Sequence, residues 1–478
     1  MAAPDRATGI PAGKASNGAA HSGKAGRACR DARVALGSVD AMRTTIVRAV
    51  TAVIALAIGG ACGGRSESPA APSPSPTEGD RYVNDSAYRR AELEASLVNP
   101  SNGYSQLRLS HYAGGDARWD ALTEWNPRVE PVATGELDDG TAARTSMGAT
   151  AKALETNASP DDEAAMRALG EAAFFAYPTQ LARYAADAVA SRAAAESAGL
   201  WIDDARDQVG GLVRAELADG SVALAVTCAS CHADAGGALL VIGVGSSHLD
   251  LGKMIADASG APADASVRAW GRGRVDVTTS DGSAPERIPD LRPSRWLTHL
   301  HQEATLAQRD RTTLAIRIET LIITSHGQGI RPPRLIAWAL ATYLWSLADS
   351  LPSSDPASGA PARGATLFGA QCASCHAQPG LTGPPVALGV VGTDPATGLS
   401  SDRGTGMYRV PSLHGVGSRG LLLHDASLPS LDAMFDPTRT TATFAGGTRG
   451  QGAVPGHVYG LSLSDSDRAD LVAYLKTL

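Results

Sequence analysis

Apolar residues recur at helical spacing in two segments of the chain that end in similar ways. The first, from Arg331 to Leu347, reads RPPRLIAWALATYLWSL, and the C-terminus reads SDSDRADLVAYLKTL. Residues three and four apart share one face of a helix, so both patterns predict helices. In the second, Ser464 or Ser466 can cap the N-terminus, which the early aspartates also suit. We interpret both as one kind of closing helix.

Other patterns predict shorter elements. Residues 210–226, GGLVRAELADGSVALAV, alternate between apolar and polar positions around Asp219 and Gly220, which predicts a β-hairpin. The stretch RGATLFGAQ predicts a short helix that leads into Cys372. Because 52 Gly and 28 Pro are spread over 478 residues, we expect many loops. The expected fold class is otherwise mainly α-helical.

Charge excludes one class of partner. The net charge is −7, and charged residues make up 19% of the chain. Nucleic acid requires a basic surface, and this composition does not supply one. We therefore expect no nucleic-acid partner.

The N-terminal region predicts export. From Met42 the chain reads MRTTIVRAVTAVIALAIGGACGG, with arginines first, then a short apolar run, then small residues. This order is typical of a secretory signal, here residues 42–61, and the apolar run is too short to span a bilayer. Residues 1–41 precede a suitable start and are interpreted as a mis-assigned extension.

A lipid anchor is expected directly after the signal. Cys62 follows Gly-Gly-Ala, which resembles the processing site of bacterial lipoproteins, although ordinary cleavage nearby is an alternative. The Ser- and Pro-rich tract that completes residues 62–80 predicts an extended tether. The protein is thus expected at the periplasmic side of a bacterial membrane, held by its lipid. No acidic residue follows Cys62 directly, which favours the outer membrane.

One pentapeptide, Cys-Ala-Ser-Cys-His, occurs twice. Cys-x-x-Cys-His is the attachment signature of c-type haem, in which two thiols bind the porphyrin and the histidine binds the iron. A zinc site or a redox dithiol would not explain a histidine after each pair. We therefore predict two covalent haem c groups. Their attachment residues are Cys228, Cys231, Cys372 and Cys375, and their proximal ligands are His232 and His376.

These motifs divide the chain. Residues 81–350 are predicted to form a first haem c domain, enlarged by an N-terminal cap and the small β-hairpin. Residues 351–362 are rich in Pro and Ser and predict a linker. Residues 363–478 are predicted to form a second domain of the class I type. The expected fold is thus two c-type cytochrome domains.

The second domain resembles a known family. Its stretches RVPSL, HDA and PSLDAM are similar to motifs of the bacterial di-haem cytochromes c, which include cytochrome c peroxidases, methylamine-utilisation-type enzymes and rubber oxygenases. The resemblance covers residues 360–478. It implies two c-type domains whose haems lie close together.

The resemblance also suggests the distal ligands. At the second haem it favours His457, with Met407 and His424 as alternatives. At the first haem it suggests His248, or else a face that no side chain binds. His299 and His301 are expected to be solvent-facing or to bond a haem propionate.

A further stretch, WGRGRVDV, is similar to one in the rubber-oxygenase branch. The resemblance suggests that Arg272 and Arg274 pair with haem propionates, because a guanidinium fits a carboxylate. The alternative is a pair of arginines in a solvated loop.

The resulting expectation is a periplasm-facing di-haem lipoprotein with redox activity. The second haem would relay electrons, and the first could react with hydrogen peroxide or oxygen. The alternative is a pure electron-transfer cytochrome in which both irons have two protein ligands. Whether the protein is an enzyme stays open, no catalytic residue is assigned, and the expected partners are redox proteins.

Overall fold

The computed structural model describes residues 75–113, 118–235, 239–259, 265–276, 285–351 and 359–478. The predicted signal, Cys62 and most of the tether lie outside these ranges. The described residues pack as one compact unit, mainly helical, with loops and small sheets. Within them no helix is long and apolar enough to cross a membrane.

Most helices are short and separated by loops. The α-helices are α1 Glu78–Asn84, α2 Ser86–Ser96, α3 Gly103–Arg108, α4 Gly135–Asp138, α5 Glu163–Ala176, α6 Arg192–Ser197, α7 Cys228–His232, α8 Leu251–Ser259, α9 Ala265–Arg268, α10 Arg311–Ser325, α11 Arg334–Ser346, α12 Gly359–Gln371, α13 Leu388–Val391, α14 Leu431–Met434 and α15 Asp465–Leu475.

The strands are shorter still. They are β1 Val129–Pro131, β2 Gln180–Leu181, β3 Ile202–Asp203, β4 Gln208–Val209, β5 Leu212–Glu216, β6 Val222–Val226, β7 Ala233–Asp234, β8 Val241–Ile242, β9 Arg274–Val275, β10 Glu286–Arg287, β11 His299–Leu300, β12 Leu306–Ala307, β13 Val386–Ala387 and β14 Met407–Tyr408. Four of them form an antiparallel sheet in the order β1-β5-β6-β2, and the others form two-stranded pairs.

Strands β5 and β6 deliver the chain to the first Cys-x-x-Cys-His motif. Their register pairs Glu216 with Val222 at the turn and Leu212 with Val226 at the open end. Gly220 in the turn has a φ of +78°, which glycine adopts without a steric penalty. The open end of this pair lies directly before α7, which contains the motif.

The closing helices predicted from the sequence are present as α11 and α15. Ser464 caps α15, because its hydroxyl accepts a hydrogen bond of 3.2 Å from the backbone N–H of Asp467. The predicted helix before Cys372 is present as α12. Each closing helix packs across an earlier helix of its own part of the chain.

Helices α12 and α15 cross at a glycine. A Cβ atom on Gly364 would lie 2.0 Å from the carbonyl oxygen of Asp470, so no larger residue fits there. One turn further along each helix, the rings of Phe368 and Tyr474 are in contact, with centroids 5.3 Å apart. The close backbone approach therefore continues into an aromatic contact.

Helices α5 and α11 cross in the same way. A Cβ atom on Gly170 would lie 2.1 Å from the carbonyl oxygen of Ala339. Phe174 and Tyr343, again four residues further along, have ring centroids 5.6 Å apart. The earlier part of the chain thus repeats the glycine–aromatic crossing seen near the C-terminus.

A second internal repeat connects the two parts. Residues 287–306 begin with RIPDL and end with QEATL, and residues 409–428 begin with RVPSL and end with HDASL. We call these the Arg-x-Pro segments. Their backbones agree, because φ is positive at His301 and Ala304 in one and at Leu423 and Ala426 in the other.

The Arg-x-Pro segments bind each other reciprocally. The backbone N–H of Arg287 donates to the carbonyl of His424 at 2.8 Å, and that of Arg409 donates to the carbonyl of Gln302 at 2.9 Å. Arg287 and Arg409 hold the same position in their segments, and so do Gln302 and His424. The two segments are therefore related by an approximate two-fold axis.

Candidate haem sites

The second Cys-x-x-Cys-His motif opens into a large cavity. Its thiols and His376 lie among mainly apolar side chains around a space of about 1280 Å³, including its open mouth. Helix α12 positions the motif, because the N–H of Cys372 donates to the carbonyl of Phe368 at 2.8 Å. Burial raises the pKa of the Cys372 thiol to about 11. The motif therefore faces a concave, mainly apolar site, which is typical of cofactor pockets.

His376 is held by one ring nitrogen. Its Nδ1 lies 3.1 Å from the carbonyl oxygen of Leu381, and the carbonyl of Pro411 faces the same side chain. Burial lowers the pKa of His376, so the ring is neutral at physiological pH. An imidazole bonded to a carbonyl through Nδ1 offers Nε2 to a metal.

His457 faces His376 across the cavity. The ring centroids are 6.4 Å apart, and burial lowers the pKa of His457 to about 4. Nδ1 of His457 is buried and has no hydrogen-bond partner. A metal held by two imidazoles, each nitrogen about 2 Å away as in zinc sites, needs ring centres roughly 6 Å apart. The observed separation fits one metal ion between the two rings.

Arg439 fixes the loop that carries His457. Its guanidinium donates to the carbonyls of Met434, Val454, Gly456 and His457 at distances of 2.7–2.8 Å. Arg439 is fully buried, and burial lowers its pKa. His457 itself has a φ of +42°. The loop is therefore constrained on both sides of the histidine.

The alternative ligands are placed differently. Met407 lies in β14, paired with Ala387 of β13, and is not among the side chains that line the cavity. His424 does line the cavity, but its ring stacks on Tyr408 with centroids 4.2 Å apart. Neither has a recorded contact with the His376 ring among the described residues. His457 has one.

The first motif forms helix α7, which is fixed by β5. The hydroxyls of Thr227 and Ser230 both donate to the carbonyl of Gly211, at 2.8 and 3.1 Å. Ser230 also accepts from the N–H of Thr227. Gly211 has a φ of +61°, and a Cβ atom there would lie 2.6 Å from the nitrogen of Ser230. The approach of strand to helix therefore requires glycine.

His232 is held like His376. Its Nδ1 lies 3.0 Å from the carbonyl oxygen of Pro289, which holds the position of Pro411 in the other Arg-x-Pro segment. Burial lowers the pKa of His232 to about 4 and raises the pKa of Cys228 and Cys231 to about 12. The first motif therefore also presents a neutral imidazole with one fixed nitrogen.

Two other histidines considered for the first site, His248 and His301, have different surroundings. His248 is half exposed, and its Nδ1 bonds the Asp234 carboxylate at 2.7 Å. Its role as a ligand stays a prediction. His301 is partly buried, with its Nδ1 fully buried, and is bonded to Arg317, which does not match the solvent-facing alternative; the propionate alternative stays a prediction.

Of the two loop arginines, Arg274 does not match its expected role, and the role of Arg272 stays a prediction. The guanidinium of Arg274 donates to the carbonyls of Trp270, Asp425 and Ala426 at 2.8–2.9 Å, so it is not available to a propionate. Arg272 makes long hydrogen bonds, of 3.3 and 3.4 Å, to the carbonyls of Ser197 and His248. These arginines tie the 270–275 loop to neighbouring segments.

Two carboxyl groups lie close together at the first Arg-x-Pro segment, Glu303 within it and Glu286, which is largely buried, directly before it. Glu303 is fully buried, and no N–H or hydroxyl group in the described part of the chain donates a hydrogen bond to either of its carboxylate oxygens. Glu286 is its hydrogen-bonding neighbour, and burial, followed by the charge of Glu303, raises the pKa of Glu286 strongly. We infer that Glu286 holds a proton and donates it to Glu303.

Comparison with known proteins identifies the C-terminal part. Residues 361–478 match the family model of cytochrome c, about a quarter of the chain. These residues form a cytochrome c domain. Such a domain implies a covalently bound haem c, and the cavity with its thiols and facing imidazoles fits that group.

The remaining comparisons add less. A solved structure of a MauG-like protein associated with microbial copper homeostasis is 18% identical. The match covers 44% of this chain and 79% of the other, with a TM-score of 0.27, which is too low to transfer a fold or a function. No curated protein matches the chain.

Sequence reasoning missed several of these residues. Arg439 and Gly170 lie outside any recognised motif, and their roles appear only once the loop and the helix crossing are seen. The Arg-x-Pro repeat did leave a signal, because RIPDL and RVPSL recur with QEATL and HDASL at the same spacing. A search of the chain against itself would have found it.

Proposed function

We propose that the chain is an exported di-haem c-type cytochrome that transfers electrons. One observation carries the proposal, namely the duplicated support of the proximal histidines. His232 bonds the carbonyl of Pro289, and the equivalent carbonyl of Pro411 faces His376. Such a contact orients an imidazole for a metal and strengthens it as a ligand. The repeated glycine–aromatic helix crossing supports a second cytochrome c fold before residue 351.

In this proposal Cys228, Cys231 and His232 hold the first haem. Cys372, Cys375 and His376 would hold the second, and His457 would be a further ligand of its iron. A haem with two protein ligands supplies one-electron transfer. Burial lowers the pKa of both histidines of the second site, and the mainly apolar lining of the cavity would limit the access of water to the bound group.

A reductive titration of the purified protein tests this function. It should show two one-electron steps with the absorption of low-spin haem c at the second site. His457→Gly should make that site alone accessible to added imidazole, because a side chain has been removed from the metal. Two unchanged steps with no imidazole binding would show that His457 is not a ligand. Absence of any redox step would remove the proposed function.

A specific observation favours a second candidate, in which the first haem reacts with peroxide or oxygen. His301 is partly buried and bonded to Arg317, and its equivalent in the other Arg-x-Pro segment, Leu423, lines the second cavity. Arg317 lies close enough to His232 for its charge, after burial, to lower the pKa of that histidine, which supports a polar side chain near the first site where the second has an apolar one. A histidine beside a guanidinium can move a proton and stabilise negative charge.

Peroxide consumption distinguishes the candidates. The enzyme candidate predicts that the wild-type protein consumes peroxide and that His301→Leu loses this activity while it retains both haems. A protein that never consumes peroxide or oxygen, and whose two haems stay low-spin during half-reduction, would be an electron carrier only.

A protein redox partner is part of the proposal. Val390 and Val458 are exposed hydrophobic side chains next to Val391 and His457, which line the second cavity. Exposed apolar patches are typical of interaction surfaces. Val390→Asp should slow electron exchange with the partner and leave the reduction potential unchanged. An unchanged rate would place the partner elsewhere.

The proposed location is the periplasmic side of a bacterial membrane, with Cys62 as the lipidated residue. Cys62 lies outside the described residues, so the support is the signal-like sequence before it. Cys62→Ser should abolish labelling by radioactive fatty acid and release the protein from the membrane fraction. Equal labelling of both proteins would exclude this anchor.

A further inference from the structure

Two buried arginines occupy the crossing of the Arg-x-Pro segments. Arg287 and Arg409 hold the first position of each segment, and both line the second cavity together with His376. The side chain of Arg287 comes from the part of the chain before residue 351, although the cavity belongs to the cytochrome c domain. Both parts of the chain therefore contribute a guanidinium to one site.

Neither guanidinium has an anionic partner. Among the described residues no ion pair joins Arg287 or Arg409 to a carboxylate. Arg287 donates through Nε to the carbonyl of Leu423 at 3.1 Å, and Nε of Arg409 is buried with no partner at all. Most of their N–H groups are therefore left for another acceptor.

Neighbouring arginines show the contrast. Arg439 also lacks a carboxylate, but four carbonyl oxygens take its donors. Arg419, which lines the same cavity, lies 3.4 Å from the Asp290 carboxylate. Arg439 and Arg419 thus each have several acceptors for their terminal nitrogens, whereas Arg287 and Arg409 have no recorded acceptor there among the described residues.

A buried cation without a partner is unfavourable. Burial lowers the pKa of Arg287 to about 9 and that of Arg409 to about 10, and nearby carboxyl groups, Glu286 for Arg409 and Asp290 for Arg287, offset only part of this effect. A charge removed from water is stabilised only by a close counter-charge and complete hydrogen bonding. The cavity that Arg287 and Arg409 line therefore favours an anionic group.

We propose that Arg287 and Arg409 bind the two propionate carboxylates of the haem attached at Cys372 and Cys375. This inference rests on the proposed function. The planar guanidinium fork matches a carboxylate with two parallel hydrogen bonds. Because Arg287 precedes the linker, residues outside the cytochrome c domain complete the haem site and set its reduction potential.

The reduction potential of the second haem tests the proposal. Arg287→Met and Arg409→Met remove the positive charge and keep a long side chain. Arg287→Lys and Arg409→Lys keep the charge. A nearby cation disfavours oxidised iron, which carries one more positive charge than reduced iron. Each Met variant should therefore lower the midpoint potential measured by spectroelectrochemistry, and each Lys variant should stay closer to wild type. Arg167→Met, which removes a half-exposed arginine of α5, is the control and should change nothing.

The outcomes separate this inference from the proposed function. Full haem content with potentials unchanged in both Met variants would overturn the role of the arginines and leave the di-haem proposal standing. Chains of wild-type sequence without haem would overturn the proposed function itself. If a Met variant does not fold, Arg287→Gln compared with Arg287→Lys gives the same contrast between neutral and charged side chains.

Discussion

The Arg439 side chain provides a test of how the loop before α15 is held. Replacing Arg439 with Met keeps the length of the side chain and removes every donor. Four backbone carbonyls, those of Met434, Val454, Gly456 and His457, then lose their partner. Because Arg439 is fully buried, water cannot replace these hydrogen bonds without opening the loop.

The expected loss of stability follows from these contacts. A hydrogen bond to a charged group contributes about 1.5–3 kcal/mol net. The free energies of four such bonds do not add fully, because the bonds share one side chain. Removing a buried cation that has no counter-charge also returns part of the lost stability. We therefore expect Arg439→Met to lower the free energy of unfolding by about 3 kcal/mol. Arg439→Lys keeps the charge with fewer donors and should lie between wild type and Arg439→Met.

Urea unfolding followed by circular dichroism measures this loss, and the absorption of the second haem reports on His457 in the same samples. Loosening the loop should make the second iron accessible to added imidazole at urea concentrations where the domain is still folded. A loss below about 1 kcal/mol, with no change in imidazole access, would refute the account of the loop.

Three further changes test other parts of the structure. Gly364→Ala should destabilise the protein by about 1–3 kcal/mol in thermal unfolding, because its methyl group collides with the Asp470 carbonyl; a neutral effect would contradict the helix crossing. Thr227→Val should cost about 1 kcal/mol in the same assay through the lost bond to Gly211, and unchanged stability would mean that this bond does not hold α7. Glu286→Gln tests the shared proton. Because the folded-state pKa of Glu286 is raised, the contribution of this carboxyl group to the free energy of unfolding is fully present below its unfolded pKa of about 4.3. That contribution is lost as the pH rises towards the folded-state pKa. The Gln variant does not titrate, so its stability relative to wild type should increase with pH in urea titrations from pH 5 to 8, and a constant difference would exclude the shared proton.

The sequence predicted the elements that local patterns specify. The closing helices were predicted because the apolar spacing of both and the serine cap of α15 are local features. The attachment motifs are likewise contiguous, so haem attachment can be predicted from them without a structure. His457 was selected by resemblance, and its facing position to His376 is compatible with that choice.

Other features depend on contacts between distant residues. Arg439 and Gly170 look ordinary in the sequence, because their roles come from carbonyl groups that only the fold brings near. Arg287 and Arg409 were overlooked in favour of Arg274, whose donors are used by the backbone. A buried guanidinium without a partner cannot be distinguished from a solvated one by sequence pattern alone.

The central claim is that both Cys-x-x-Cys-His motifs carry haem. Mass spectrometry of the intact chain, expressed in a host that matures c-type cytochromes, measures the number of covalent haems directly. The account predicts a mass increase of two haems for wild type and of one haem for a Cys228→Ala, Cys231→Ala variant. A wild-type chain carrying one haem, with the same mass increase in the variant, would contradict it.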